Sequence, residues 1–249
     1  MSHLLIDRFR FDSFSTDPVQ EDGSRLLTRF GHTVYMYFMI TPPEATVERA
    51  WMRGEQFGRY KAVDDLLDHN VEAYKGMPRL FFTWATRRDK EVHFEFLDNS
   101  VAEGQVPRTV AFGWNGEMNI LDIHSLINID RHAKLNIAAK APSEVYPGAE
   151  AMAPDRNTQF ICQCVRMLPI VNFADFSSGR IYARLEAGVL TWSDPAALAA
   201  AMTDSEVRAG LLAVAPETAT SVSEPTKEAR YLRRDTAHTL GVWGETAAG

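Results

Sequence analysis

The sequence predicts an α+β fold. Its sheet is mostly antiparallel and hairpin-rich, a sandwich or partly closed barrel, with one long helix from the N-terminal half packed on it and short helices near the C-terminus. Three observations lead there. Short apolar or alternating stretches recur with turn residues between them, which is how β-hairpins read. Residues 42–75 instead repeat apolar side chains every three or four positions, the period of a helix face. Two helix starts follow the last strand pattern, one of them with Pro195 at its first position, where proline's missing N–H costs nothing. With 249 residues, 45% apolar and 24% charged, the chain can bury a core without disulfide or metal staples.

Taken in order, residues 3–15 alternate weakly and read as a first strand, followed by a polar loop through Pro18 and Gly23. Thr33–Ile40, TVYMYFMI, is apolar at nearly every position and suits a strand covered on both faces. Thr41-Pro42-Pro43-Glu44 spells a capping box with Thr41 as N-cap. The helix beyond it carries Val47, Ala50 and Trp51, weakens near Gly54 and Gly58, and continues through Tyr60, Val63, Leu67, Val71 and Tyr74. Gly76 and Pro78 read as its end.

Arg79–Thr86 and Glu91–Leu97 read as a hairpin about the charged turn Arg87-Arg88-Asp89-Lys90. A second hairpin joins Thr109–Trp114 to Glu117–Ile123 through Asn115-Gly116, a pair suited to a turn with both φ positive. Residues 124–141 fit either period and read as strand, and 142–158, with Pro142, Pro147, Gly148 and Pro154, as a long loop. Gln159–Asp194 reads as the central sheet. It would hold a strand with both cysteines, a turn at Ser177-Ser178-Gly179, and a strand with Ile181, Ala183 and Leu185 on one face and Tyr182, Arg184 and Glu186 on the other. Asp194-Pro195 and Thr203-Asp204-Ser205-Glu206 then open two short helices. No internal repeat is visible.

Residues 1–215 read as a single domain. From Pro216 the composition shifts to PETATSVSEPTKE, too polar to pack and suited to a linker. The arm beyond it brings Tyr231, Leu232, Arg233, Arg234, Leu240 and Trp243 together, aromatic and basic residues of the kind that bind a partner.

Composition narrows the function. A net charge of −7 leaves no basic surplus for nucleic-acid phosphates. No apolar run reaches the roughly 18 residues of a bilayer span, and the N-terminus lacks a signal-peptide pattern. The expectation is a cytoplasmic protein, free or particle-associated, with no membrane partner. Cys162 and Cys164 are too close to bridge without strain and read as buried thiols.

The best enzyme-like set is His93-x-Glu95 with a later histidine, His124 or His132. Two imidazoles and a carboxylate can hold Fe(II) or another divalent metal with positions left open, which would make the chain a barrel-like small-molecule enzyme. Against it, a strand with Phe94 and Phe96 facing the core needs polar residues at 93 and 95 on its wet face. Asp122-x-His124 and Asp130-x-His132 could orient an imidazole for base chemistry, but no activated nucleophile accompanies them. Arg87, Arg88 and Lys90 beside Trp84, and Ser177-Ser178-Gly179-Arg180, could touch nucleic acid or an anion, yet each reads more simply as a charged turn. The reading preferred is a non-catalytic assembly subunit without a cofactor. It would be a homo-oligomer or part of a larger particle, docking on neighbours, its own copies or another protein, through the C-terminal arm.

Overall fold

A computed structural model describes residues 33–102, 104–214, 230–233 and 239–244. The first strand expected over 3–15 lies outside them. Among the described residues the fold is α+β, built on one open sheet of seven strands in which each strand pairs with its neighbour in sequence. Strand β1 (Thr33–Ile40) leads to helices α1 (Pro43–Phe57) and α2 (Val63–Ala85), then to β2 (Glu91–Asp98), β3 (Arg108–Trp114) and β4 (Glu117–Ile120). Helices α3 (Ile123–His132) and α4 (Gln159–Met167) follow, with two short 3₁₀ turns between them. Strands β5 (Ile170–Ala174), β6 (Ile181–Glu186) and β7 (Val189–Trp192) precede α5 (Pro195–Thr203) and α6 (Ser205–Val214).

The sheet is mixed and is not closed into a barrel, because β1 and β7 end it without meeting. Four of its six pairings are antiparallel; β1 with β2 and β4 with β5 are parallel. The order parallel, antiparallel, antiparallel therefore occurs twice, with β4 closing the first round and opening the second. A parallel pair needs a crossover connection, and each is supplied by a helical one, residues 41–90 and 121–169. This repetition of topology has no visible repetition of sequence behind it.

Alternation along the strands assigns the two faces. On one, Phe38, Phe94, Phe96, Val171, Phe173 and Leu185 pack with Phe81 of α2, Leu126 and Ile127 of α3 and Phe160 of α4 in one continuous core. Phe81 is its centre, with ring contacts to Phe94 at 4.8 Å, Phe96 at 5.0 Å, Phe160 at 5.7 Å and Phe38 at 5.8 Å. Each such pair adds about 0.5–1.5 kcal/mol beyond area burial. The other face carries a smaller cluster of Phe112, Leu121, Ala174, Ile181 and Trp243.

Several expectations fail for physical reasons. The capping box at Thr41 is displaced: α1 begins at Pro43 without a side-chain cap, and the Thr41 hydroxyl accepts instead from Asn99. The expected helix over 42–75 is two helices, separated after Gly58, which takes a left-handed conformation at φ 66°. Helix α2 then runs through Gly76 and Pro78 to Ala85, so the strand expected at 79–86 is helical. Proline inside a helix costs about 3 kcal/mol. Leu80, Phe81, Phe82 and Trp84 behind it are all buried, at about 1.5–3 kcal/mol each, and that outweighs it.

Residues 123–132 form a helix rather than a strand because Asp122 caps it, accepting from the Ser125 N–H at 3.2 Å and its hydroxyl at 2.9 Å. The cysteine stretch is likewise helical. Its alternation of Phe160, Cys162 and Cys164 imitates a strand, but Phe160, Ile161 and Cys164 are the buried residues, which is helical spacing. Gln159–Asp194 is thus a helix and the last three strands, at one end of the sheet. The Asn115-Gly116 hairpin (φ 50° and 86°), Ala183 and Leu185 on the core face, and the Asp194 cap of α5 stand as expected. Ile181 does not share that face: a register shift at Phe173 and Ala174 breaks the alternation, so Ile181 joins the second cluster and Tyr182 packs on the main core.

Candidate functional site

The free end of the α1–α2 hairpin is where the described surface is most unlike a solvated one. Helix α1 is fastened near its middle. Ala50 is buried, and the Arg49 guanidinium donates to the carbonyls of Asn99 and Val101, both at 2.8 Å. Past that point only Gly54 is buried until Leu67. Yet this stretch carries Trp51, Phe57 and Tyr60, which are 60%, 70% and 60% exposed, with Met52 and Val63 beside them. Scattered exposed apolar residues are ordinary; contiguous ones of this size mark interaction surfaces.

The patch is held in place. The ring of Tyr60 folds back over Gly54, where any Cβ would come within 2.4 Å of it. That brings Tyr60 to 5.3 Å from the Trp51 ring, while the Trp51 indole donates to Glu55 at 3.0 Å. Aromatic rings ordered before binding lose little freedom on binding. The charges around them balance: Arg53, Arg59 and Lys61 against Glu55, Asp64 and Asp65. By sequence spacing, Trp51, Tyr60 and Val63 fall on the packed stripe of one helix. The signal that they do not was the pair Gly54 and Gly58, which ends α1 and resets the helical phase.

The residues expected to hold a metal are not brought together. His93 meets Glu91 at 2.9 Å and stacks on Tyr35. Glu95, two residues on, is 1% exposed and accepts from the Thr109 hydroxyl at 2.7 Å and the N–H groups of Leu240 at 2.7 Å and Gly241 at 3.1 Å. His124 stands at the start of α3, with Asp204 at 3.1 Å from one ring nitrogen and Glu206 at 3.0 Å from the other. Among the described residues no group of three His, Cys, Asp or Glu side chains is placed to hold a metal ion.

The C-terminal arm was expected on a neighbour, and its described residues lie on the chain's own sheet. Tyr231 bridges to Arg180, and the Leu232 N–H donates to the Gly179 carbonyl at 2.8 Å. Trp243 is 5% exposed and stacks on Phe112 at 5.9 Å. The Leu240 side chain and Arg233 face outward, and Arg234 lies outside the described residues. Gly241 is required: a Cβ there would meet the Thr109 hydroxyl at 2.4 Å and Leu97 at 2.6 Å.

The other sequence candidates are occupied structurally. Arg87 lies over the Trp84 ring at 5.0 Å and grips Asp89 through two nitrogens, which holds that carboxyl down at about 2. Ser178 in the Ser-Ser-Gly turn binds Asp175 at 2.6 Å. His132 is 2% exposed, packs edge-on to Tyr74 at 4.7 Å, and its Nδ1 has no partner. Burial, with Arg131 nearby, pushes its pKa down to about 4, so the ring is neutral at pH 7. The Tyr74 hydroxyl is engaged by the Thr41 backbone, and burial drives the Cys164 thiol well up. These groups pack; none is poised as an acid, base or nucleophile. No family model, curated protein or solved structure matches the chain.

Proposed function

We propose that the chain is a non-catalytic assembly subunit that associates with a second copy of itself through the apolar end of the α1–α2 hairpin. The observation that carries this is the aromatic group of Trp51, Phe57 and Tyr60, each more than half exposed, with the Trp51 and Tyr60 rings held against each other. Rigid aromatic anchors of this type dominate protein interfaces. Self-association is favoured over a charged partner by the balanced rim. A two-fold contact sets the same patch against itself. Antiparallel packing would then lay the basic Arg59–Lys61 stretch of one copy along Asp64 and Asp65 of the other. The arm, fastened to its own sheet through Glu95 and Trp243, stays outside this interface.

Light scattering on the size-fractionated full chain tests the reading. The wild type is expected well above its 28.0 kDa monomer mass at micromolar concentration, and Phe57→Glu with Tyr60→Glu at the monomer mass with unchanged circular dichroism. A wild type that stays monomeric, or a variant that assembles as well as the wild type, overturns it.

A further inference from the structure

Helices α2 and α4 border a groove of about 710 Å³. Lys75 and Arg79, four residues apart on α2, stand on one side, and Arg166 of α4 on the other. Among the described residues, none of the three side chains has a hydrogen-bond or ion-pair partner. Like charges at that spacing weaken a helix, and a third cation across the groove adds to the repulsion. Their convergence is the more telling in a chain of net charge −7. The acid lining the same groove, Asp130, is committed elsewhere, its carboxylate accepting the Phe160 N–H at 3.0 Å at the start of α4. Pro78, Phe82 and Met167 supply an apolar wall between the charges. An apolar surface with a few convergent polar groups, at this volume, is the form of a small-molecule site.

We propose that this groove binds a small organic anion, a phosphate- or carboxylate-bearing molecule with an apolar body. Lys75, Arg79 and Arg166 would take its charge, and Pro78, Phe82 and Met167 its body. The site is on a different part of the molecule from the α1–α2 tip and does not depend on self-association. The test titrates the full chain with phenyl phosphate, phenylacetate and inorganic phosphate, following amide NMR shifts. Saturable shifts along α2 and α4 are expected with at least one of the two aromatic anions, and the tighter one identifies the charged group. Inorganic phosphate should bind at least tenfold more weakly, and Lys75→Gln with Arg79→Gln should lower the aromatic anion's affinity at least tenfold with the fold retained. The proposal is overturned if neither aromatic anion gives saturable shifts, if the double variant binds as tightly, or if inorganic phosphate matches phenyl phosphate.

Discussion

The Glu95 carboxylate receives the backbone N–H of Gly241 at 3.1 Å from 146 positions further along the chain. With the Leu240 N–H and the Thr109 hydroxyl, it fastens the arm to β2, beside the edge strand β1. Hydrogen bonds to a charged group contribute about 1.5–3 kcal/mol each. Glu95→Gln replaces one acceptor oxygen with an NH₂ facing these donors. We expect it to release the arm at a cost of about 2 kcal/mol, seen as faster amide exchange at Leu240 and Gly241 and a red-shifted tryptophan emission. Gly241→Ala should do the same by collision with Thr109 and Leu97. Unchanged exchange in both variants would falsify the clamp.

At the hairpin tip, Gly54→Ala separates folding from assembly. Alanine is the better helix former by about 1 kcal/mol, yet its Cβ occupies the place of the Tyr60 ring. The variant should melt at or above the wild-type temperature and still self-associate less. Assembly undiminished by light scattering would show that the position of Tyr60 is immaterial.

His132 makes stability depend on pH. Its pKa is about 4 in the folded chain against an ordinary value near 6.5. Between those values the unfolded chain binds the proton and the native one does not, so stability falls as pH drops through 6.5 toward 4 and levels off below. The span corresponds to on the order of 3 kcal/mol. Asp130 runs the other way. Burial raises its folded pKa, so its contribution is present on the acid side and is lost as pH rises through that value. The difference between wild type and His132→Phe at each pH removes the Asp130 part. Urea unfolding from pH 4 to 7 should show the variant losing the slope; parallel curves would contradict it.

The cysteines should differ. Cys164 is fully buried with its thiol held protonated, whereas Cys162 is half-buried and its Sγ lies 3.6 Å from the Ala213 carbonyl. A maleimide should label the native chain once, at Cys162, and twice only on unfolding. Equal labelling of both in the native state would contradict the helical placement.

Across the sheet, Asn172 joins three neighbours: its amide donates to Asn119 at 2.8 Å and Glu117 at 2.9 Å, and its carbonyl accepts from Arg184 at 3.0 Å. Asn172→Ala leaves these groups short of partners, at about 1–3 kcal/mol, measurable by urea unfolding. A cost below 0.5 kcal/mol would mean that water replaces the amide.

What could be read from sequence was what local chemistry decides. Asn115-Gly116 dictates its own turn, and Asp194 before Pro195 dictates a helix start. The misreadings occur where packing overrules local preference. Pro78 signals a stop, but the residues after it fill the core under Phe38 and Phe94. Cys162 and Cys164 alternate like a strand, but Asp130, thirty residues away in sequence from Phe160, caps them into a helix. The candidate site suffered in the same way. Whether Trp51 and Tyr60 are core or surface depends on how far α1 projects past Arg49, and no residue spacing records that.

Glu95 and its distant amides also set an order of events. Each strand pairs with the one made just before or after it, so the sheet can assemble as the chain is synthesised. The last piece of its second face cannot. Leu240 follows Glu95 by 145 residues, roughly 7–30 s of translation at typical rates. During that wait the exposed face presents a carboxylate on β2, beside Phe112 and Leu97. A charge in such a place discourages aggregation between unfinished chains. The group that later holds the arm is thus a gatekeeper until the arm exists.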